Sequence, residues 1–559
     1  MDFIQISIVL ILFVLLIIPV GKYIYKIMNF EKPFGDGFFS FIDNFIFKLT
    51  GIKNDEMTFK TYSLSLIITN LMMVLLVYII FRTQGLLGLN PNNIKAMDPS
   101  LAFNTVISFI TNTNLQHYSG ESGLSYLSQM AAITFLMFTS AATGLAAAFA
   151  FIRGISGKWS HLGNFFVDLV RVITRVLIPF SIVVSLLLVW QGVPQTLSSN
   201  QTVNTIQGLQ QDIPLGPVAS FESIKHIGTN GGGFFGANSS HPFENPTPLT
   251  NVIEMLSMMV LPGALVYSLG LSLKNKKQGW AIFAAMSILF IGSLTLCYYA
   301  EKTGNPVFAK LGLSNMFGNM EGKELRFGIG GSSLFTTVTT AFTTGTVNNM
   351  HDSLTPLGGL VPLWQMMLNV VFGGDGVGLM NMLMYAILAV FLCGLMVGRT
   401  PEFLGKKIEG KEIKLIALAI LIHPFIILVP TAISLLTSLG TEAISNSGFH
   451  GLSQVLYEFA SSAANNGSGF EGLVDNTLFW NMSTGLVIFI GRFVSMIALL
   501  AVASSLCSKK AVPAGTGTFR TDNALFTVIL VAIVLIVGAL TFLPAIALGP
   551  IAEHLTIGF

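Results

Sequence analysis

Four short polar loops interrupt an otherwise greasy chain, and their residue types are those that can coordinate a small cation. They read Thr111-Asn112-Thr113-Asn114, Gly228-Thr229-Asn230-Gly231-Gly232-Gly233, Thr343-Thr344-Gly345-Thr346-Val347-Asn348 and Ala464-Asn465-Asn466-Gly467-Ser468-Gly469. From Thr113 to Gly232, Gly345 and Gly467 the steps are 119, 113 and 122 residues. Backbone carbonyls can replace the water shell of a monovalent ion without a full charge that would hold it too long. Aiming successive carbonyls one way needs positive φ, which glycine tolerates. Thr and Asn add side-chain oxygens and pin the loop locally. None of the four loops contains Asp or Glu, which points to a carbonyl site for a monovalent cation and away from a carboxylate ring. Loop one has no glycine between Thr111 and Leu115, unlike the other three.

Each loop follows a half-length apolar segment: Leu101–Ile110, Val218–Ile227, Ser332–Phe342 and Leu452–Ser462. None can cross a bilayer. Each suits a re-entrant pore helix, whose C-terminal carbonyls carry partial negative charge toward the loop. The 559 residues are 52% hydrophobic and 10% charged, where a soluble domain carries about 25% charged residues. Ten long apolar spans are expected, near 3–21, 62–81, 128–152, 172–191, 250–273, 279–299, 361–398, 415–437, 479–507 and 523–547. The first lacks a basic start and a cleavage site, so it reads as a retained helix.

Basic residues sort to alternate connections. Lys22–Lys60, Arg153–Arg175, Lys274–Lys277, Arg399–Lys414 and Lys509–Arg520 hold 21 of the 29, with Lys158 and Arg399 among them. That side reads as cytoplasmic, which puts the N-terminus and all four loops outside. The expected fold is an all-α polytopic membrane protein with four pseudo-repeats around a central pore. Residues 1–61 form a leading helix and loop. Repeats follow at 62–160, 161–277, 278–412 and 413–510, and a last helix at 511–559.

The expected ion-filter residues are Asn112, Thr113, Asn114, Thr229, Asn230, Gly231, Gly232, Thr344, Gly345, Thr346, Asn465, Asn466 and Gly467. Two further features suit an ion path that is not an open pore. Phe372-Gly373-Gly374-Asp375-Gly376-Val377-Gly378 breaks the seventh span, and unwound backbone at membrane depth lines a cavity or moves. Arg492 lies within the ninth span, where a cation costs ~2.5–3.5 kcal/mol on insertion scales and so suggests a role. Gly373, Gly374, Asp375, Gly376, Gly378 and Arg492 are therefore candidate gate or cavity residues.

No nucleotide-binding P-loop, catalytic triad or metal-ligand spacing is evident. Cys297, Cys393 and Cys507 read as buried small hydrophobes, and His241, His351 and His450 as surface or loop-packing residues. Glu301-Lys302-Thr303-Gly304 is one residue from a P-type phosphorylation motif but has no cytoplasmic domain around it. On the residues alone, a four-repeat cation-conducting protein is the reading, with pump subunit and stand-alone channel or symporter both open.

The strings TNTNLQHYSGESGLSY, GTNGGGFFGANSSHPFENPTP, MHDSLTPLGGLVPL, FGGDGVGLMNM, GLMVGRTPEFLGKKIE and SSAANNGSGFEGL resemble, in order and over the whole length, the potassium-binding A subunit of the bacterial Kdp potassium-transporting ATPase. The second and fifth strings are highly specific. The resemblance implies a non-catalytic subunit in the bacterial cell membrane. It would select external K⁺ in the four loops and pass it to a P-type ATPase B subunit, in a complex with a C subunit and a small single-span F subunit. K⁺ is then the transported ligand, no other cofactor is implied in this chain, and no nucleic-acid partner is expected. Arg492 would supply positive charge under the filter, and the 372–378 break would flank the cavity there. Asp375 departs from the small or apolar residue expected in that glycine run.

Overall fold

The computed structural model describes residues 2–557, apart from 158–159, 397, 399 and 512–518. Lys158 and Arg399 of the basic-residue pattern lie outside the described residues. Among the described residues, ten helices are long and apolar enough to cross a membrane: Asp2–Met28, Phe59–Leu86, Ser128–Ser156, Phe165–Trp190, Pro248–Ser272, Lys276–Phe308, Val377–Met396, Gly410–Leu435, Leu478–Cys507 and Ala524–Ile557. This is a multi-pass membrane protein.

The helices are layered by hydropathy and side-chain size. Asp2–Met28 has only 17% of its most apolar stretch buried and shows Leu and Ile outward, whereas Ser128–Ser156, rich in Ala, Gly and Thr, has 89% buried. Apolar side chains gain nothing by leaving lipid for protein, so interior contacts rest on small residues that let backbones approach. At Gly154 a Cβ would stand 2.7 Å from the Ala503 carbonyl oxygen. At Gly263 it would stand 2.5 Å from the Phe13 ring.

Four shorter helices enter between the spans: Pro99–Ile110, Val218–Ile227, Gly328–Ala341 and Phe449–Ala464. They coincide with the half-length segments read from the sequence. Helix starts near them follow a shared rule, an N-cap side chain followed by proline: Asp98-Pro99, Thr247-Pro248 and Thr355-Pro356. The cap oxygen satisfies orphan N–H groups, and proline has no N–H to lose there.

The seventh span resolves into Pro356–Leu368 and Val377–Met396. The break therefore runs from Asn369 (φ 49) to Gly376 (φ 88), slightly earlier than read. Gly378 lies in the following helix, not in the break, and a Cβ there would meet the Phe372 carbonyl oxygen at 2.1 Å.

Among the described residues, several elements had no counterpart in the sequence reading, and two of them stand out. One is the helix Asp36–Thr50, held where Asp43 pairs with Arg175 and accepts from Thr174 Oγ1 at 2.8 Å. The other is a polar antiparallel hairpin, Gln201–Asn204 with Gln210–Ile213, in which Thr202 opposes Asp212. Cys297 is buried as expected, but Cys393 and Cys507 are only half-buried.

Candidate functional site

Each short helix ends in the same closure. The N–H groups of Asn112, Thr229, Thr343 and Asn465 donate three residues back, to Phe109, His226, Thr340 and Ser462. The next N–H groups, of Thr113, Asn230, Thr344 and Asn466, donate five residues back, to Ser108, Lys225, Thr339 and Ser461. This paired 5→2 and 6→1 pattern is the Schellman closure, which requires a left-handed residue at its corner. Asn112, Thr229, Thr343 and Asn465 supply it, with φ of 62, 46, 50 and 55°. Two residues on, φ is positive again, at Asn114 (57°), Gly231 (90°), Gly345 (86°) and Gly467 (104°).

The four loops thus share one backbone conformation, and their register differs by one residue from the sequence reading. Asn114, not Thr113, stands where the glycines stand, and in loop two the equivalent is Gly231, not Gly232. The spacings become 117, 114 and 122 residues. Asn occupies the left-handed region at small cost because its side chain can bond locally. Thr229 and Thr343 are β-branched and pay strain of about 1–3 kcal/mol for it.

The loops close into a ring. A Cβ built on Gly231 would lie 1.8 Å from the Thr344 carbonyl oxygen. On Gly345 it would lie 1.9 Å from that of Asn466, and on Gly467 1.9 Å from that of Thr113. Asn112 Nδ2 completes the circuit, donating to the carbonyls of Gly228 (3.1 Å) and Thr229 (2.8 Å), and Asn114 Nδ2 donates to that of Gly231 (3.1 Å). Each loop touches the next in the order one, two, three, four, one. Thirteen of thirteen expected filter residues lie in this ring or at its edge, all buried except the half-buried Gly467. Thr343, left out of that set, belongs with them by its conformation.

On one side the ring opens to a cavity of about 320 Å³, lined by Gly232, Gly345, Gly467, His117 and Asp475 among others. Thr346 faces a polar cluster there, its Oγ1 3.1 Å from Ser239 Oγ. On the other side lies the 369–376 break. Asp375 N donates to Thr229 Oγ1 (2.9 Å), and Gly373 N to the Ala341 carbonyl (2.8 Å). A Cβ on Gly374 would come within 3.7 Å of Thr343. Gly376 packs its Cα against the Gly144 carbonyl, where a Cβ would stand 2.4 Å away.

Arg492 is buried on that same side. Its Nη2 donates to the Ser140 carbonyl at 3.2 Å. Ser140 Oγ in turn donates to Asn112 Oδ1 (2.9 Å), which also accepts from Asn230 Nδ2 (2.6 Å). The guanidinium is therefore tied to loops one and two through a single serine. Arg492 Nη2 and the Asp375 carbonyl both press on Gly144, at 2.8 and 2.4 Å from a Cβ built there. Asp375 is fully buried, and neither carboxylate oxygen has a hydrogen-bond partner.

The sequence reading missed a buried charge cluster behind loop two. Lys225 Nζ lies 2.6 Å from Glu222 and 2.7 Å from Glu244, and His226 Nε2 lies 3.3 Å from Glu254. Glu244 Oε1 accepts from Phe235 N (2.8 Å), so the cluster fixes the chain leaving the loop. Its signal was three charged or titratable residues, Glu222, Lys225 and His226, in one short apolar helix. Glu301 is likewise structural: it pairs with Lys323 (2.6 Å) and accepts from Thr355 N (2.8 Å). His351 is not at the surface; it is buried, with Nδ1 2.8 Å from Tyr457 Oη. His450 bridges Asp352 (3.0 Å) and Glu553 (2.9 Å). Burial alone would lower its pKa, but these two carboxylates hold it up at about 10.

A ring of four Schellman-closed loops, each carried by a re-entrant helix among ten spans, defines a membrane protein of the pore-loop class. The same fold is seen in the crystal structure of the potassium transporter TrkH from Vibrio parahaemolyticus (TM-score 0.50, 13% identity, 78% of this chain and 84% of that one). The chain belongs to the potassium-transporting ATPase A subunit family, whose pattern it matches over residues 7–555. Its relatives include the potassium-transporting ATPase potassium-binding subunits of Clostridium acetobutylicum (62% identical, 100% of both chains) and Geobacillus kaustophilus (61%, 99% of both). That of Caldanaerobacter subterraneus is 56% identical over 97% of both.

Proposed function

We propose that the ring is a K⁺-selective filter, opening to the outside of the bacterial cell, and that this chain is the potassium-binding, non-catalytic subunit of an ATP-driven uptake pump. The observation that carries the reading is the shared alternation of φ in all four loops. In an extended strand of uniform φ, successive carbonyls point to opposite sides; alternating the sign of φ turns them the same way. Four such strands around one axis present a stack of carbonyl oxygens at fixed distance, without a formal charge, as a potassium site needs. The expected filter residues act through these oxygens, with Thr113, Asn230, Thr344 and Asn466 on the strands between the two left-handed corners. The same correspondence supports the division into four repeats.

Below the ring, Arg492 and the 369–376 break stand across the direct route, so the ion leaves sideways toward a P-type ATPase subunit, in a complex with the C and F subunits. The names of the relatives support the pump assignment. The basic-residue pattern supports loops facing outward.

The test is K⁺ uptake into proteoliposomes by this chain with and without the ATPase subunit. ATP-dependent uptake that needs both chains is the expected result. Uptake by this chain alone, indifferent to ATP, would instead make it a channel or symporter.

A further inference from the structure

We infer that the outer mouth carries a binding site for a divalent transition-metal ion of the Zn²⁺ class, formed by His117, Glu458 and Asp475. The binding site goes beyond the potassium reading and does not depend on it; its effect on transport rests on that reading. The three residues come from distant parts of the chain, yet one ligand atom from each lies within 4.8 Å of the other two. His117 Nε2 is 3.2 Å from Glu458 Oε1 and 3.9 Å from Asp475 Oδ2. Tetrahedral zinc with N and O ligands at about 2.0–2.2 Å sets its ligand atoms about 3.2–3.6 Å apart, so closure needs only small side-chain shifts.

The imidazole is already turned for this. Asn481 Nδ2 donates to Ser100 Oγ (3.1 Å) and Asn476 Oδ1 (3.3 Å), which leaves Asn481 Oδ1 to face the ring at 2.7 Å from His117 Nδ1. Nδ1 therefore carries the hydrogen, and Nε2 is directed at the two carboxylates. A carbonyl behind the ring nitrogen that does not bind metal is the usual arrangement around a metal-ligating histidine. His117 and Glu458 are buried, which spares them the competition of bulk water, and Asp475 is partly exposed toward the cavity over the ring. Two carboxylates and one imidazole leave a fourth position open on that side. An imidazole ligand favours Zn²⁺, Ni²⁺ or Cu²⁺ over K⁺, Mg²⁺ or Ca²⁺, which prefer all-oxygen sites. A divalent ion held beside the cavity adds positive charge where cations enter, so occupancy is inhibitory.

The experiment uses protein purified from membranes with whichever chains accompany it, stripped by a chelator and titrated with Zn²⁺ alone against a chromophoric chelator. Co²⁺ absorption reports coordination. One Zn²⁺ per chain at micromolar concentration or below is expected, with a four-coordinate Co²⁺ band. His117→Gln and Asp475→Asn should each weaken binding by about tenfold or more and remove the band. Asp475 is on the cavity rim and is not a core residue, so its variant keeps the test valid should His117→Gln fail to fold. Absence of stoichiometric Zn²⁺, or binding that neither variant changes, overturns the site. Zn²⁺ should also raise the K⁺ concentration that half-activates the complex, in wild type but not in Asp475→Asn. Binding without that shift overturns the inhibitory role. The metal titration needs no transport, so its failure is separable from failure of the potassium reading.

Discussion

Asn114 in loop one and Gly231, Gly345 and Gly467 in the other three occupy the same place in the ring, with φ of 57, 90, 86 and 104°. The glycine positions have carbonyls of the next loop pressed against them, at 1.8–1.9 Å from a Cβ built on each. Loop one has room for a side chain there, and the Asn114 amide bonds to the Gly231 carbonyl at 3.1 Å. Three strands are thus held by close backbone packing and one by a side chain. What the ring demands is a left-handed backbone, and the neighbour's distance decides whether glycine is the residue that provides it.

The comparison is broken most severely at the glycines. Gly467→Ala adds left-handed strain of about 1–2 kcal/mol and a contact that cannot persist against Thr113. K⁺-stimulated ATP hydrolysis by the complex should need at least about a hundredfold more K⁺, as two lost coordinating carbonyls at about 1.4 kcal/mol each would give. Asn112→Ala comes next. It removes two donated hydrogen bonds to loop two and the acceptor shared by Ser140 and Asn230. Buried groups left unpaired cost about 1–3 kcal/mol each, so a lower thermal midpoint and a weaker K⁺ response are expected together. Gly144→Ala should follow, with a cost of about 1–3 kcal/mol from overpacking against Asp375 and Arg492. Its thermal midpoint should fall without a change in the order of preference among K⁺, Rb⁺ and Na⁺. Asn114→Gly sharpens the comparison from the other side: it keeps the backbone and loses one hydrogen bond, so K⁺ affinity should drop by less than about tenfold.

The smallest effect is at the rim. The folded pKa of His450, about 10, lies above its ordinary 6.5. The bridge to Asp352 and Glu553 therefore contributes fully below the ordinary value and is lost as pH rises through about 10. Thermal melts should lose stability as pH rises from about 6.5 to about 10, and His450→Gln should flatten that slope.

The ten spans and four short helices were legible because membrane hydropathy and length leave few alternatives. The ring's register was not. Three consecutive glycines, Gly231 to Gly233, offer several alignments, and an Asn standing for glycine gives no compositional cue. The Schellman bonds that set the register depend on helix ends, which sequence locates poorly. Asp36–Thr50 escaped because its fifteen residues, interrupted by Asp43 and Lys48, fall short of a span. The His117, Glu458 and Asp475 cluster escaped because its members lie up to 358 residues apart and only packing brings them together. Arg492 and the glycine break were visible as oddities, but their link through Ser140 to Asn112 was not.

The most direct test of the central claim is K⁺-dependent ATP hydrolysis by the purified complex, wild type beside Gly345→Ala, with Rb⁺ and Na⁺ titrated in parallel. A Cβ at Gly345 would meet the Asn466 carbonyl at 1.9 Å, inside the ring itself. The filter account predicts a weakened K⁺ response with reduced discrimination against Rb⁺ and Na⁺. An unchanged K⁺ response with wild-type discrimination would contradict it and place selection elsewhere in the protein.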